Sequence, residues 1–485
     1  MTDRTVPKRA THPNLIVATL ALAGVSASFM QTILIPIQPQ LPGLLHAAGQ
    51  DTAWVITATL VAAAISAPIA GRLGDMYGKR RIAMVLLVLQ LLGAILAALS
   101  DTLAPMIIAR VLQGVAAGVI PLGIAMLRDV LPPQRLGSAI ALVSATLGVG
   151  GALGLPISAL VADNFDWHAL FWIATALTVA CLVLYAAVVP ASTLRTPGRL
   201  DFVGIAGLTV GLVGTLIAVS RGGQWGWGDP RTLILLVGGI VVLLAWGVFE
   251  LRVTDPLVDL RVSARRPVLL TNLASVAMGF ALFAANIVFP QLLELPRGTG
   301  IGLGLSLVAA ALVLAPSGLA MMAMSPVSGR IQRARGPKTL LIAGAFVIAI
   351  SYGGALVFHT AFWQILIVNT LLGVGIGLGY AAMPALILQA VPPSESGAAN
   401  GLNALMRSLG TSIAAAVVGA VLAQSAASSG GTAGPSETGF MLALALGLAA
   451  ALVCILIAAF IPRPKARSDG RASTASRSST AAAVS

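Results

Sequence analysis

Charge is scarce in this chain. Only 9% of its 485 residues are Asp, Glu, Lys or Arg, against 58% apolar residues and a mean hydropathy of +0.96. A water-soluble fold of that composition would have almost no polar surface to present, so the chain belongs in lipid. None of the 16 acidic residues falls in the middle of an apolar run. The two cysteines, Cys181 and Cys454, sit in separate apolar runs, where neither disulfide nor metal-ligand spacing is available. The four histidines (His12, His46, His168, His359) are scattered, which argues against a membrane enzyme and against a bound metal. No basic stripe interleaves with aromatics, so the net charge of +13 does not mark a nucleic-acid surface.

What is present is one apolar run after another. A spanning helix needs about 20 apolar residues at about 1.5 Å each to cross roughly 30 Å of hydrocarbon. Read by breaks of charge, proline and glycine, spans are expected near 15–37, 53–73, 82–100, 104–127, 136–162, 168–189, 201–220, 232–250, 267–290, 303–324, 339–358, 361–383, 398–424 and 439–461. The first run is too long for the core of a cleaved signal peptide and is expected to be retained. An even number of spans, fourteen, puts both ends on one side. With the amino terminus in the cytoplasm, all of the 29 Lys and Arg except Arg221, Arg231, Arg297 and the intramembrane Arg110 lie in or beside cytoplasmic segments. Both termini are therefore expected in the cytoplasm of an inner, plasma-membrane protein. Scarce lysine beside abundant Arg, Ala and Gly fits a GC-rich, bacterial genome.

The charged turn Gly71-Arg72-Leu73-Gly74-Asp75-Met76-Tyr77-Gly78-Lys79-Arg80-Arg81 has a weaker copy in which Gly329 matches Gly71 and Gly336 matches Gly78. Gly114-Val115 and Gly118 recur as Gly373-Val374 and Gly377, and Pro132-Pro133 with Gly137 as Pro392-Pro393 with Gly397. Three nearly equal offsets imply a duplication: six spans, two inserted spans, then six more. The expected units are a cytoplasmic arm (1–14), a six-helix bundle (15–189), a two-helix insert with its linkers (190–266), a second six-helix bundle (267–461) and a disordered tail (462–485). Two similar bundles enclose a cleft at their junction, as a transporter requires.

At these residues the chain resembles the major facilitator superfamily, in particular its fourteen-span drug:proton antiporters, over nearly all of residues 14–461. Gly71 to Arg81 fits the signature between spans 2 and 3, and Arg110-Val111-Leu112-Gln113-Gly114 with Gly118 fits that of span 4. Two features depart from the pattern. In span 5, Gly154-Leu155 and Ser158-Ala159 stand where the antiporter signature resembles Gly-Pro and paired glycines. In span 1, Met30 precedes Gln31-Thr32-Ile33 where that branch usually carries an aspartate.

The resemblance implies a gate in which Asp75 caps the amino end of span 13, near Ser396 to Asn400. Free N–H groups and a positive helix end would hold the carboxylate by about 0.3 to 2 kcal/mol, weak enough to open in every cycle. Gly71 and Gly78 permit close approach and a tight turn, while Arg72, Lys79 and their neighbours can pair with Asp129 or with lipid phosphate. Arg333 occupies the position matching Asp75, so the latch is expected on one side only.

Arg110 is the deepest charge, on a span where arginine costs about 2.5 to 3.5 kcal/mol. Its repeat-mate is Asn369, and Gln31 is matched by Asn286. In the resembling family these four spans line the central cavity, so Arg110, Gln113, Gln31, Asn286 and Asn369 are the candidate substrate contacts; interhelical hydrogen bonding is the alternative for the three uncharged repeat-mates. Arg407 either stays buried or snorkels to the cytoplasmic surface. With no midplane carboxylate, Glu294 and Asp51 are the nearest proton-carrying candidates, ahead of His168, which is read as an interfacial anchor. The expected activity is proton-driven efflux of amphiphilic molecules by a monomer without cofactors. A dedicated exporter or uniporter of an anionic metabolite and a non-transporting sensor or scaffold are the alternatives.

Overall fold

The computed structural model describes residues 12–191, 194–196, 198–299, 301–428 and 434–462, and the regular elements among them are all helical. The expected arm and tail fall almost wholly outside the described residues. Among the described residues thirteen helices are long and apolar enough to cross a membrane, and one more apolar helix is shorter, at 17 residues. In chain order they are α1 (Pro13–Thr32), α2 (Trp54–Tyr77), α3 (Lys79–Ala98), α4 (Leu103–Val130), α5 (Pro133–Asn164), α6 (Ala169–Val188), α7 (Phe202–Trp225), α8 (Pro230–Glu250), α9 (Arg266–Glu294), α10 (Leu307–Ala323), α11 (Ser325–Val357), α12 (Phe362–Ala390), α13 (Ser396–Ser428) and α14 (Glu437–Ala459).

The all-helical membrane fold is as expected, with local shifts that have physical causes. The helical part of the first span ends at Thr32, because Pro36 and Pro39 cannot donate to a continuing ladder; residues 33–37 form turns instead. The apolar run of the tenth span stops near Met324, but helical backbone continues polar through 325–335 to a break at Gly336. Only then does the eleventh span begin.

That break is where the duplication becomes geometry. Gly78 and Gly336 both adopt positive φ, 102° and 81°, the region that favours glycine and turns one helix sharply into the next. Other repeat-mates mark the same close approaches. A Cβ on Gly114 would strike the Thr59 carbonyl oxygen of α2, and one on Gly373 the Ser317 carbonyl oxygen of α10. Lipid is as apolar as a leucine side chain, so helices here associate through close van der Waals packing, which small residues allow. Gly114→Val and Gly373→Val are each expected to lower the melting temperature of the purified protein, overpacking costing about 1–3 kcal/mol. Gly238→Val, with nothing within 4 Å of the added carbon, should melt like the wild type. Equal melting for all three would remove these glycines from the packing argument.

The apolar core is built largely half by half, with Ala141 and Ala145 of α5 joining the rear cluster and Ala385 and Leu388 of α12 a front one. Phe29, Met30, Leu41, Met106 and Phe171 belong to the front half, and Met278, Phe289, Tyr352, Ile376 and Phe440 to the rear. Helices α7 and α8 pack on one another, and α7 also rests against α2 and α13. Its Leu208, Leu212 and Leu216 join Ala64 of α2, Leu402 and Leu405 of α13, and Leu257 and Val258 of the following linker in one cluster. Of the inserted pair, α7 thus lies along the seam between the halves.

Candidate functional site

The seam closes at the end of α2. Gly71 lacks the Cβ that would strike the Gly397 carbonyl oxygen, and Gly401 lacks the one that would strike the Ala67 carbonyl oxygen, so α2 and the start of α13 meet backbone to backbone. That approach brings Asp75 to the first turn of α13. Gly397 N–H donates to its Oδ1 at 3.0 Å and Ala398 N–H to its Oδ2 at 2.8 Å. These are two of the donors that a helix start leaves without intrahelical partners. Both Asp75 and Lys79 side chains are fully buried, with Lys79 Nζ 3.7 Å from Asp75. Lys79 also donates to Asp129 Oδ2 and to Ser396 Oγ, each at 2.9 Å. The Asp75 carboxylate thus faces the positive end of α13.

Other ties surround this cluster. Thr196 of the linker donates its N–H to the Asp75 carbonyl (2.9 Å) and its hydroxyl to the Ser394 carbonyl (2.8 Å), bridging the same two segments. Arg128 reaches the Val391 carbonyl at 3.1 Å and Arg333 the Gln134 carbonyl at 3.1 Å. Gly329 packs on Ser138, and nearer the middle of the helices Gly318 packs on Gly148. Of the expected gate residues, Gly71, Asp75, Lys79 and Asp129 come together and Gly78 makes the turn beside them. Arg72 stands apart, lining a crevice with Asp255 and Glu395.

The candidate cavity residues are placed differently from one another. Arg110 is fully buried; its Nη1 donates to the Met30 carbonyl of α1 and to Gln113 Oε1, both at 2.7 Å, and its Nε to the Val55 carbonyl of α2 at 3.2 Å. Gln113 passes the chain to the Gly93 carbonyl of α3 at 3.0 Å. Arg110 therefore ties four helices of the front half through groups that carry no countercharge, one of the ways an intramembrane arginine is held, and only its Nη2 is buried without a partner. Asn369, also buried, donates to the Leu314 carbonyl of α10 at 3.1 Å. Gln31 is partly exposed and Asn286 exposed. No hydrogen bond among the described residues joins Gln31, Asn286 or Asn369 to Arg110.

At the opposite end of the molecule Glu294 closes α9, and Asp51 lies in the short helix Gly49–Thr52; both are exposed. His168 contacts Asp166 at 2.6 Å and Asp101 at 3.4 Å and lies against Trp167, pinning the loop before α6. Hydrogen bonds from its backbone and ring hold the Asp166 carboxyl below the usual range.

Sequence reasoning missed several buried polar groups. Asn403 of α13 donates to Asn272 Oδ1 (2.9 Å) and Ser275 Oγ (2.7 Å) of α9. Gln90 binds Ser26 (2.7 Å) and Thr178 (3.1 Å). Arg221, expected in an outer loop, is buried over the Trp54 ring and donates to the Gln50 carbonyl at 2.7 Å. Polar residues recurring inside apolar runs were the available signal; which of them face each other depends on helix rotation.

Comparison with known proteins supplies the context. The family model described as Major Facilitator Superfamily matches residues 20–415 and 272–483. The chain is 28% identical over 389 residues to the lincomycin resistance protein LmrB of Listeria monocytogenes, covering 79% of this chain and 80% of that one. It is 27% identical over 390 residues to the tetracenomycin C resistance and export protein of Streptomyces glaucescens, covering 79% and 70%. Among solved structures, the human organic anion transporter MFSD10 aligns with a TM-score of 0.67 at 15% identity, over 92% of this chain and 99% of that one. The proton:xylose symporter XylE aligns with a TM-score of 0.63 at 14% identity, over 93% and 96%.

Proposed function

The chain belongs to the major facilitator superfamily, and from that membership and the geometry of the seam we propose that it exports amphiphilic organic molecules by alternating access, driven by the proton gradient. It is a multi-pass plasma-membrane protein. We assign the Asp75 face to the cytoplasm, because the arginine-rich linkers lie there; both termini then lie on that side, and the conformation is closed inward. The observation that carries the reading is the carboxylate of one half held by the first turn of a helix of the other. That contact is strong enough to define a closed state, and it involves few enough groups to release.

The relatives named for resistance to lincomycin and for resistance and export of tetracenomycin C support efflux as the direction. The scarcity of charge along the spans suits amphiphilic cargo. Proton coupling rests on the family and on the exposed pair Glu294 and Asp51 at the outer mouth, where a proton from outside would first be taken up. Arg110 serves in this reading as a positioning residue that fixes α1, α2 and α4 around the cavity.

Inverted membrane vesicles give the test. With the interior acidified, vesicles carrying the protein should accumulate an amphiphilic xanthene dye, and collapse of the pH gradient should release it. Accumulation that ignores the gradient would instead favour a uniporter.

A further inference from the structure

One cation in the interior has no partner of the kind that satisfies Arg110. Arg407 lies about three turns into α13, and its guanidinium sits 5.0 Å from the centre of the Tyr380 ring of α12. It is partly exposed, and no ion pair or hydrogen bond to it occurs among the described residues. It borders a narrow crevice between the halves whose walls are Ile120, Pro121 and Ile124 of α4, Pro384 of α12, and Asn400 and Ala404 of α13. Two further polar groups are buried without partners: Asn400 Oδ1 on the crevice wall, on a side chain 3% exposed, and, behind the wall, the hydroxyl of the Tyr380 that Arg407 covers, on one 1% exposed.

We propose that Arg407, with Tyr380, is the docking point for the anionic group of the transported molecule, so that this exporter takes amphiphiles bearing a carboxylate or similar acid. This rests on the export reading above and names its substrate class.

The charges leave little choice. The spans contribute no midplane acid, and the nearest acids of the seam, Asp75 and Asp129, are engaged with Lys79 and the start of α13. An arginine kept in a low-dielectric setting with its donors free is a site for an anion, and its planar fork suits a carboxylate held by two parallel hydrogen bonds. A phenol hydroxyl adds a third donor. Asn400 Oδ1 accepts from a hydroxyl or N–H next to the acid, and the aliphatic walls cover the apolar body. The crevice in this closed form has room for about one water molecule, so the ligand occupies it when the halves part around Arg407.

Binding and transport separate this inference from the reading beneath it. The probes are a xanthene dye with a free carboxylate and its methyl ester, titrated against detergent-purified full-length protein by fluorescence polarisation. The acid is expected to bind more tightly than the ester. Arg407→Gln should weaken the acid by about tenfold to a hundredfold, as loss of a charge-assisted pair does, and leave the ester unchanged. Arg407→Lys should keep part of the preference for the acid, and Tyr380→Phe should reduce it while melting stays at the wild-type temperature. Equal affinity for acid and ester, binding of neither, or an Arg407→Gln variant that melts normally and keeps the acid preference would overturn the proposal. If the acid binds through Arg407 yet vesicles never accumulate it, the docking site stands and the export reading falls.

Discussion

Asp75→Asn is expected to leave the protein folded and in the membrane while gradient-driven dye accumulation falls to background. The carboxylate accepts from Gly397 and Ala398 and lies beside Lys79, all in a buried setting. An amide keeps one acceptor oxygen but sets an NH2 against the other donor and the ammonium, so one N–H loses its partner and the negative charge is gone. A hydrogen bond to a charged group is worth about 1.5–3 kcal/mol, which shifts the closed-to-open balance by about tenfold or more. The closed state also loses the attraction between the carboxylate and the positive end of α13. Membrane abundance and monodispersity of the variant provide the control. Wild-type transport by Asp75→Asn would take the latch out of the mechanism.

The second large effect is on stability. Arg110→Ala strips the Met30 and Val55 carbonyls of a donor and leaves Gln113 Oε1 without its partner inside the bundle. A hydrogen bond to a charged group is worth about 1.5–3 kcal/mol, and this substitution removes several at once, so the variant should melt well below the wild type and fail to yield monodisperse protein. Lysine, with one point charge on a thinner stem, cannot reproduce a fork spread over α1, α2 and α4. Arg110→Lys is expected between the two. The contrast with Arg407 is diagnostic: one arginine should be read by melting, the other by anion affinity. If Arg110→Ala melted like the wild type, its role as the tie of the front half would be wrong.

Much of this was legible in the chain. The gate announced itself because glycine is required where backbones touch or φ is positive, and such requirements recur when a gene duplicates: Gly71 with Gly329, Gly78 with Gly336, Gly114 with Gly373. The partners of Arg110 were hidden for the opposite reason. They are main-chain carbonyls, which every sequence possesses and none advertises. The fate of Arg407 turned on the rotation of α13, which a hydropathy pattern leaves open in a helix apolar on several faces. The insert read as a spacer; only packing reveals that α7 lies along α2 and α13, on the very seam that must open. The polar segment 325–335 was not read as helix, because an apolar run reports only the thickness of lipid, whereas helical backbone fills that segment up to the break at Gly336.

The central claim is that two halves rock about the seam, one face closing as the other opens. Pulsed electron paramagnetic resonance on doubly spin-labelled protein tests it directly, with Cys181 and Cys454 replaced by alanine. One pair, at Arg135 and Arg335, reports the Asp75 face, and another, at Gln38 and Arg297, the far face; all four positions are exposed. Adding Asp75→Asn, or shifting the pH across the range that drives transport, should lengthen the first distance and shorten the second together. Distances that stay fixed under both changes, or that move in the same direction, would contradict the account.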